Sequence, residues 1–127
     1  PLPALIERRT KSADTARGDK MIYVLNLYDL IPGKEDQYRD YMRQAGPLLA
    51  KFGARPVVTA HAPLAMLEGD NERAHMIIVE FPDKSAFDEF YAAADAAKLH
   101  PLREGATRNY IWTVYDGWDL GAWLGDA

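Results

Sequence analysis

Four polar side chains of this 127-residue chain stand in settings where their chemistry could be put to use: Asn26, Glu80, Arg103 and His61. Asn26 lies in the run Tyr-Val-Leu-Asn-Leu-Tyr and Glu80 in Ile-Ile-Val-Glu-Phe, both rich in the residue types that favour strands. If these strands are neighbours, side-chain alternation is expected to put the amide and the carboxylate on matching faces. A carboxylate facing an apolar cavity pays for its charge by desolvation, so its pKa rises and it becomes a candidate general base. The plainer alternative is a hydrogen-bonded buried pair, or a Glu80 reaching water at a strand end. Buried polar groups are most often simply satisfied in this way. Arg103 follows His100 by three residues, a spacing that shares one helical face. That pair suits an anion clamp with a proton carrier beside it, against the alternative of an exposed Arg paired with an acidic neighbour. His61 falls at the end of a strand next to Pro63, where a second proton-transfer group could sit, or a half-exposed loop histidine. Tyr28 and Trp112, with Tyr23, Tyr110 and Tyr115, supply flat surfaces suited to a planar ligand, a role that competes with ordinary core and interface packing.

Other chemistries lack their residues. Cysteine is absent, which removes disulfides, thiolate metal sites and cysteine nucleophiles. The three histidines are scattered, with no His-x-x-x-His spacing, so no metal site and no bound cofactor are expected. There is no Gly-rich phosphate loop and no Gly-x-Ser-x-Gly elbow. Pro1 could serve as an amino-terminal proline base only by opening a buried strand, and Pro3 and the charged residues after it argue otherwise.

The elements that would position these groups can be read from periodicity. Residues 1–20 read as a loosely attached arm, with Leu2, Leu5 and Ile6 followed by a charged stretch. Met21 to Asp29 predicts a strand. Tyr38, Tyr41, Met42, Ala45, Leu48, Leu49 and Phe52 then recur at threes and fours, the stripe of an amphipathic helix. Gly53 is its left-handed stop, and Gly46-Pro47 predicts a kink or a division into two pieces. Pro56 to His61 and His75 to Phe81 predict a hairpin around the turn residues Gly69-Asp70-Asn71. Asp83 is placed to cap a helix carrying Phe87, Phe90, Tyr91 and Ala94, with a second helical piece interrupted at Pro101. Tyr110 to Tyr115 predicts the fourth strand, and residues 118–127 form a tail holding Trp118 and Trp123. The order strand, helix, strand, strand, helix, strand fits an α+β fold. It is the ferredoxin-like split β-α-β arrangement, one domain over residues 21–117 with a four-stranded antiparallel sheet and both helices on one face.

These strands do not alternate cleanly between apolar and polar residues, as a sheet with one wet face should. Tyr23, Leu25 and Leu27 oppose Ile22, Val24, Asn26 and Tyr28, and both sets are largely apolar. Leaving half a dozen such side chains in water would forgo about 1.5–3 kcal/mol each. A second copy of the sheet is the expected cover, giving a homodimer.

Several short motifs support the same outcome. Tyr23-Val24-Leu25-Asn26, Leu48-Leu49-Ala50-Lys51-Phe52-Gly53, Leu67-Glu68-Gly69, Val79-Glu80-Phe81-Pro82, and Tyr91 followed by Leu102-Arg103 occur in this order. Together they resemble the bacterial family catalogued as domain of unknown function 1330, within the dimeric α+β barrel superfamily. The resemblance spans Met21 to Tyr115. It departs in the arm, in the tail and in the alanine-rich stretch from Ala92 to Leu99. It implies a ferredoxin-like protomer whose sheet pairs with that of its partner, and it carries no established reaction. The wider superfamily includes cofactor-independent monooxygenases, haem-degrading enzymes and muconolactone isomerases, an analogy at the level of fold.

Formal net charge is −4, with 15 basic and 19 acidic residues, so neither a nucleic acid nor an anionic membrane is an expected partner. No apolar run approaches the ~20 residues of a membrane span, and a cytoplasmic protein is the expectation. Two functional classes remain. One is an enzyme without a tightly bound cofactor, of oxygenase, isomerase or dehydratase type, acting on an aromatic or unsaturated acid. In it Glu80 or His61 would move protons, and Asn26, Arg103, Tyr28 and Trp112 would hold the ligand. The other is a non-catalytic binding or oligomerisation module. A connected cavity lined by Asn26, Glu80 and Arg103 would mark the enzyme, and a barrel filled by Trp112, Met76 and Ile78 the module.

Overall fold

A computed structural model describes residues 21–125, so the arm and the Pro1 reading lie outside the described residues. Strand β1 (Ile22–Leu30) leads to helix α1 (Glu35–Lys51), strands β2 (Arg55–His61) and β3 (His75–Phe81), helices α2 (Lys84–Ala96) and α3 (Leu99–Glu104), strand β4 (Thr107–Asp116) and the short helix α4 (Leu120–Leu124). The sheet runs β2-β3-β1-β4 with every neighbour antiparallel. This is the expected ferredoxin-like α+β fold, with the two helical segments between strands packed on one sheet face.

Burial along β1 alternates from Ile22 to Tyr28. Ile22, Val24, Asn26 and Tyr28 are buried, while Tyr23, Leu25 and Leu27 are only partly so. The buried set faces the helices, which contribute Tyr38, Tyr41 and Ala45 from α1, Phe87, Phe90 and Ala94 from α2 and Leu99 from α3. Asp83 caps α2 as expected, accepting from the Ala86 amide at 2.8 Å. Gly53 stops α1 with φ +76°, and a side chain there would also meet Pro82 at 3.0 Å.

The proline signals resolve differently in the two helical segments. Of the two alternatives at Gly46-Pro47, the division into two pieces is excluded, and helix α1 continues through Pro47 as one element. The packing of its apolar stripe on the sheet outweighs the one hydrogen bond that proline removes. The break between α2 and α3 falls at Lys98, whose φ is +63°, and not at Pro101. Pro101 lies in the first turn of α3, where its missing N–H would have no helical partner in any case.

Strand β4 carries one residue more than β1 at their far end. Leu27 lies opposite Ile111, but Asp29 lies opposite Arg108. The extra residue is accommodated at Asn109, which has φ +56°. Asp29 fastens this bulge, accepting from Asn109 Nδ2 at 2.9 Å and from the Ala74 amide at 2.8 Å. These bonds favour the ionised form and hold its carboxyl below the usual range, the Asn109 bond contributing most. A carboxyl whose pKa is lower folded than unfolded stabilises the fold above the unfolded value. That contribution is lost as pH falls through the folded value. The advantage of wild type over Asp29→Asn in urea midpoint is therefore expected to be full at pH 6 and to shrink steadily from about pH 4 downward. A difference that stays constant down to pH 2.5 would contradict this role.

Candidate functional site

The cavity that matters lies between the sheet and the helices. It has a volume of about 90 Å³, and its wall combines Asn26, Tyr110 and Trp112 from the sheet with Tyr38 and Tyr41 from α1 and Phe87 from α2. Phe81, Phe90 and aliphatic side chains close the remainder. Among the described residues that line it there is no carboxylate, imidazole or amine.

Its polar groups are amides and phenols, already organised. Tyr110 Oη donates to Asn26 Oδ1 at 2.6 Å, while Asn26 Nδ2 donates to the carbonyls of Val24 and Ile77, each at 3.3 Å. These bonds fix which way the amide points. Tyr38 Oη donates to Tyr28 Oη at 2.5 Å beside it. Burial pushes the pKa of Tyr28, Tyr38, Tyr41 and Tyr110 above the ordinary phenol range, so all four stay neutral and act as hydrogen-bond donors and acceptors. For Tyr41 and Tyr110 the Arg103 guanidinium partly offsets that rise.

Arg103 stands behind this wall. It is 7% exposed, with its guanidinium carbon 4.5 Å from the Tyr110 ring centre and 4.8 Å from that of Trp112. Its Nε is buried without a hydrogen-bond partner, and its ion pair with Glu104 is long, 3.7 Å to a side chain 67% exposed. Stacking on two rings lets a guanidinium be buried where a compact ammonium would not be. The positive charge is thus weakly compensated and turned toward aromatic surface. His100 is also near Trp112, its ring 5.9 Å away, with its closest ring neighbour Tyr91 at 4.4 Å.

Of the residues singled out from sequence, Asn26, Tyr28, Trp112 and Arg103 are brought together. Glu80 is not. Asn26 pairs in register with Ile77 and with Trp112, so these three share the helix-side face. Glu80 is opposite Tyr23 and Arg55 on the other face, bonded to Arg55 Nε at 3.2 Å. The expectation of matching faces therefore fails by one residue of register, which in a period-two element inverts the side. Trp112 is likewise separated from Met76 and Ile78, so neither arrangement foreseen for enzyme or module is the one present. His61 lies at the sheet's rim, outside the cavity lining. His75, which opens β3, is half-buried with its ring stacked on Tyr28 at 5.4 Å.

Tyr38 and Tyr41 were visible in the sequence only as members of an apolar stripe. The available signal was that two tyrosines, three apart, occupy positions that Leu or Phe would fill if packing were the sole requirement.

Fold and site define a ferredoxin-like α+β protein with an aromatic cavity beneath its helices. The chain belongs to the family described as domain of unknown function 1330, whose model matches residues 23–116. In three dimensions it is similar to the RPA0582 protein of unknown function from Rhodopseudomonas palustris. That likeness has 24% identity and a TM-score of 0.70, covering 81% of this chain and 84% of that one. It is also similar to SnoaB, a cofactor-independent oxygenase from Streptomyces nogalater, at 11% identity and TM-score 0.53, over 79% of this chain and 95% of that one. A putative antibiotic biosynthesis monooxygenase from Bacteroides thetaiotaomicron matches at 14% identity and TM-score 0.51, over 81% and 91%. These likenesses show a shared fold. No curated protein matches the sequence. Among the described residues no helix is long and apolar enough to cross a membrane.

Proposed function

We propose that the helix-side cavity binds a small planar acid, aromatic or unsaturated, and that any turnover there is of the cofactor-independent kind. The observation that carries this reading is Arg103, a buried cation with an orphaned Nε, stacked against the two rings that wall the cavity. Aromatic walls favour a flat ligand, and a weakly compensated cation behind them favours a negative one, since charge is poorly screened away from water. A ligand oxygen that displaces the Tyr110–Asn26 bond would gain the neutral Tyr110 phenol as its donor. The site is thus suited to holding and polarising an oxygen rather than removing a proton with a protein base. The likeness of fold to cofactor-independent oxygenases agrees with that chemistry without establishing it.

We also infer that the opposite sheet face, with Leu25, Leu27, Met76, Ile78 and Ile111, is covered by a second copy of the chain. All five are apolar and only partly buried, and leaving such side chains in water would forgo about 1.5–3 kcal/mol each.

Trp112 is a built-in reporter once Trp118 and Trp123, packed ring to ring at 5.6 Å and mostly exposed, are changed to Phe. In that background, single-ring aromatic acids are expected to quench Trp112 saturably and to bind about tenfold or more tighter than their amides. Tenfold corresponds to about 1.4 kcal/mol. Arg103→Met should erase the preference for the acid while leaving the amide's affinity similar. No saturable quenching by any acid of the panel, or a preference that survives Arg103→Met, would overturn the assignment.

A further inference from the structure

The sequence separates His61 from His75 by thirteen residues, yet the hairpin sets them directly opposite one another on β2 and β3. The adjacent Ala62 amide donates to the Ala74 carbonyl at 2.8 Å. Because the two kinds of antiparallel pair alternate, His61 and His75 then occupy the non-hydrogen-bonded position, where facing side chains come closest. Their ring centres are 6.0 Å apart and inclined by 26°. His61 is exposed, whereas His75 Nδ1 is buried with no hydrogen-bond partner. An orphaned buried nitrogen in a native fold calls for a missing water or ion. Hollows of about 250 and 220 Å³ adjoin the two rings, so there is room for an ion with its remaining water ligands.

We propose that His61 and His75 form a cross-strand imidazole chelate for a borderline divalent cation, Cu(II) above all. Imidazole nitrogen suits Cu, Ni and Zn, and among first-row divalent ions such a site ranks Cu(II) first. Among the charged side chains at this end of the hairpin, Asp29 is committed to Asn109 and the Ala74 amide. Arg73 lines the larger hollow together with both imidazoles, its guanidinium held by donation to the carbonyls of Asn109 at 2.6 Å and Glu72 at 3.1 Å. Glu72 lines the same hollow and offsets the Arg73 charge, so the two imidazoles, and not a net negative charge, carry the site. The strand pairing pre-sets both ligands, so the ion has only to draw two nearby rings together. Behind His75 the stack continues into Tyr28, 5.4 Å away. The site stands apart from the cavity wall and does not depend on the ligand proposed for it.

Calorimetric titration of the full chain with Cu(II) and, separately, Zn(II) tests this, together with electron paramagnetic resonance of the Cu(II) form. The expected result is one Cu(II) per chain, held more tightly than Zn(II), with a spectrum showing two imidazole nitrogens. His61→Ala and His75→Ala should each weaken Cu(II) by at least about tenfold, since loss of even an outer-shell partner commonly costs that much. His100→Ala should leave the affinity unchanged. Should His75→Ala fail to fold, His61→Ala at its exposed position decides the matter alone. No stoichiometric binding, an affinity indifferent to His61→Ala, or a spectrum lacking histidine nitrogens would overturn the proposal.

Discussion

Leu25→Lys is expected to turn the proposed dimer into a monomer. Leu25 sits at the centre of the sheet, between Ile78 on β3 and Thr113 on β4, on the face turned away from the helices. If a second sheet covers that face, a two-fold interface places two copies of the substitution near one another. Each would bring an unpaired ammonium into apolar surroundings. The effective penalty for burying such an ion is several kcal/mol, enough to dominate the free energy of a modest interface. Within one protomer the lysine has an easier outcome, because its stem can lie along Leu27 and Ile78 while the charge reaches water. The helix-side core should survive, so the variant is expected to be folded by circular dichroism but monomeric by sedimentation at micromolar concentration. A wild type that sediments as a well-folded monomer would remove the inference of a covered face. A Leu25→Lys protein as dimeric as wild type would show that the copies meet elsewhere.

The second large effect is expected at Phe81. It is 1% exposed at the end of β3, with Phe87 edge-on at 5.3 Å and Phe90 at 5.7 Å, and it helps to close the cavity. Phe81→Ala removes the transfer free energy of the ring and leaves a void beside one already present, a loss of about 3–5 kcal/mol. For a domain of this size the melting midpoint should fall by roughly 10–20 °C. The enlarged cavity is apolar, and apolar voids of this kind stay dry and accept benzene-sized molecules. Benzene or toluene should therefore restore part of the lost stability in Phe81→Ala and change wild type much less. A midpoint lowered by only a few degrees would mean that α2 collapses into the space. Loss without rescue would mean that the cavity is sealed or filled by rearrangement.

The fold was legible because its signals are local and repeated. The stripe from Tyr38 to Phe52, the Asp83 cap and the hairpin turn each specify an element without reference to distant residues. The misplaced break, at Lys98 and not Pro101, arose because a proline in the first turn of a helix interrupts nothing. The site was less legible. Asn26, Tyr28, Trp112 and Arg103 could be named, since polar or aromatic residues in strand and helix runs draw notice. Their grouping and the exclusion of Glu80 depended on register. Register between β1 and β3 places Tyr23 opposite Glu80 and Asn26 opposite Ile77. A shift of one residue would reverse both faces, and nothing local to either strand sets it. The three histidines illustrate the same limit, because sequence spacing describes helices well and says little about residues facing each other across a hairpin.

By itself, then, the order of residues determined the kinds of elements, their sequence and the apolar character of both sheet faces, because these follow from short-range periodicity and composition. Tertiary structure alone decided which face the helices cover, that Arg103 is buried against Tyr110 and Trp112, and that His61 meets His75. Those outcomes rest on strand register and on the competition of whole surfaces for burial, which no single segment encodes.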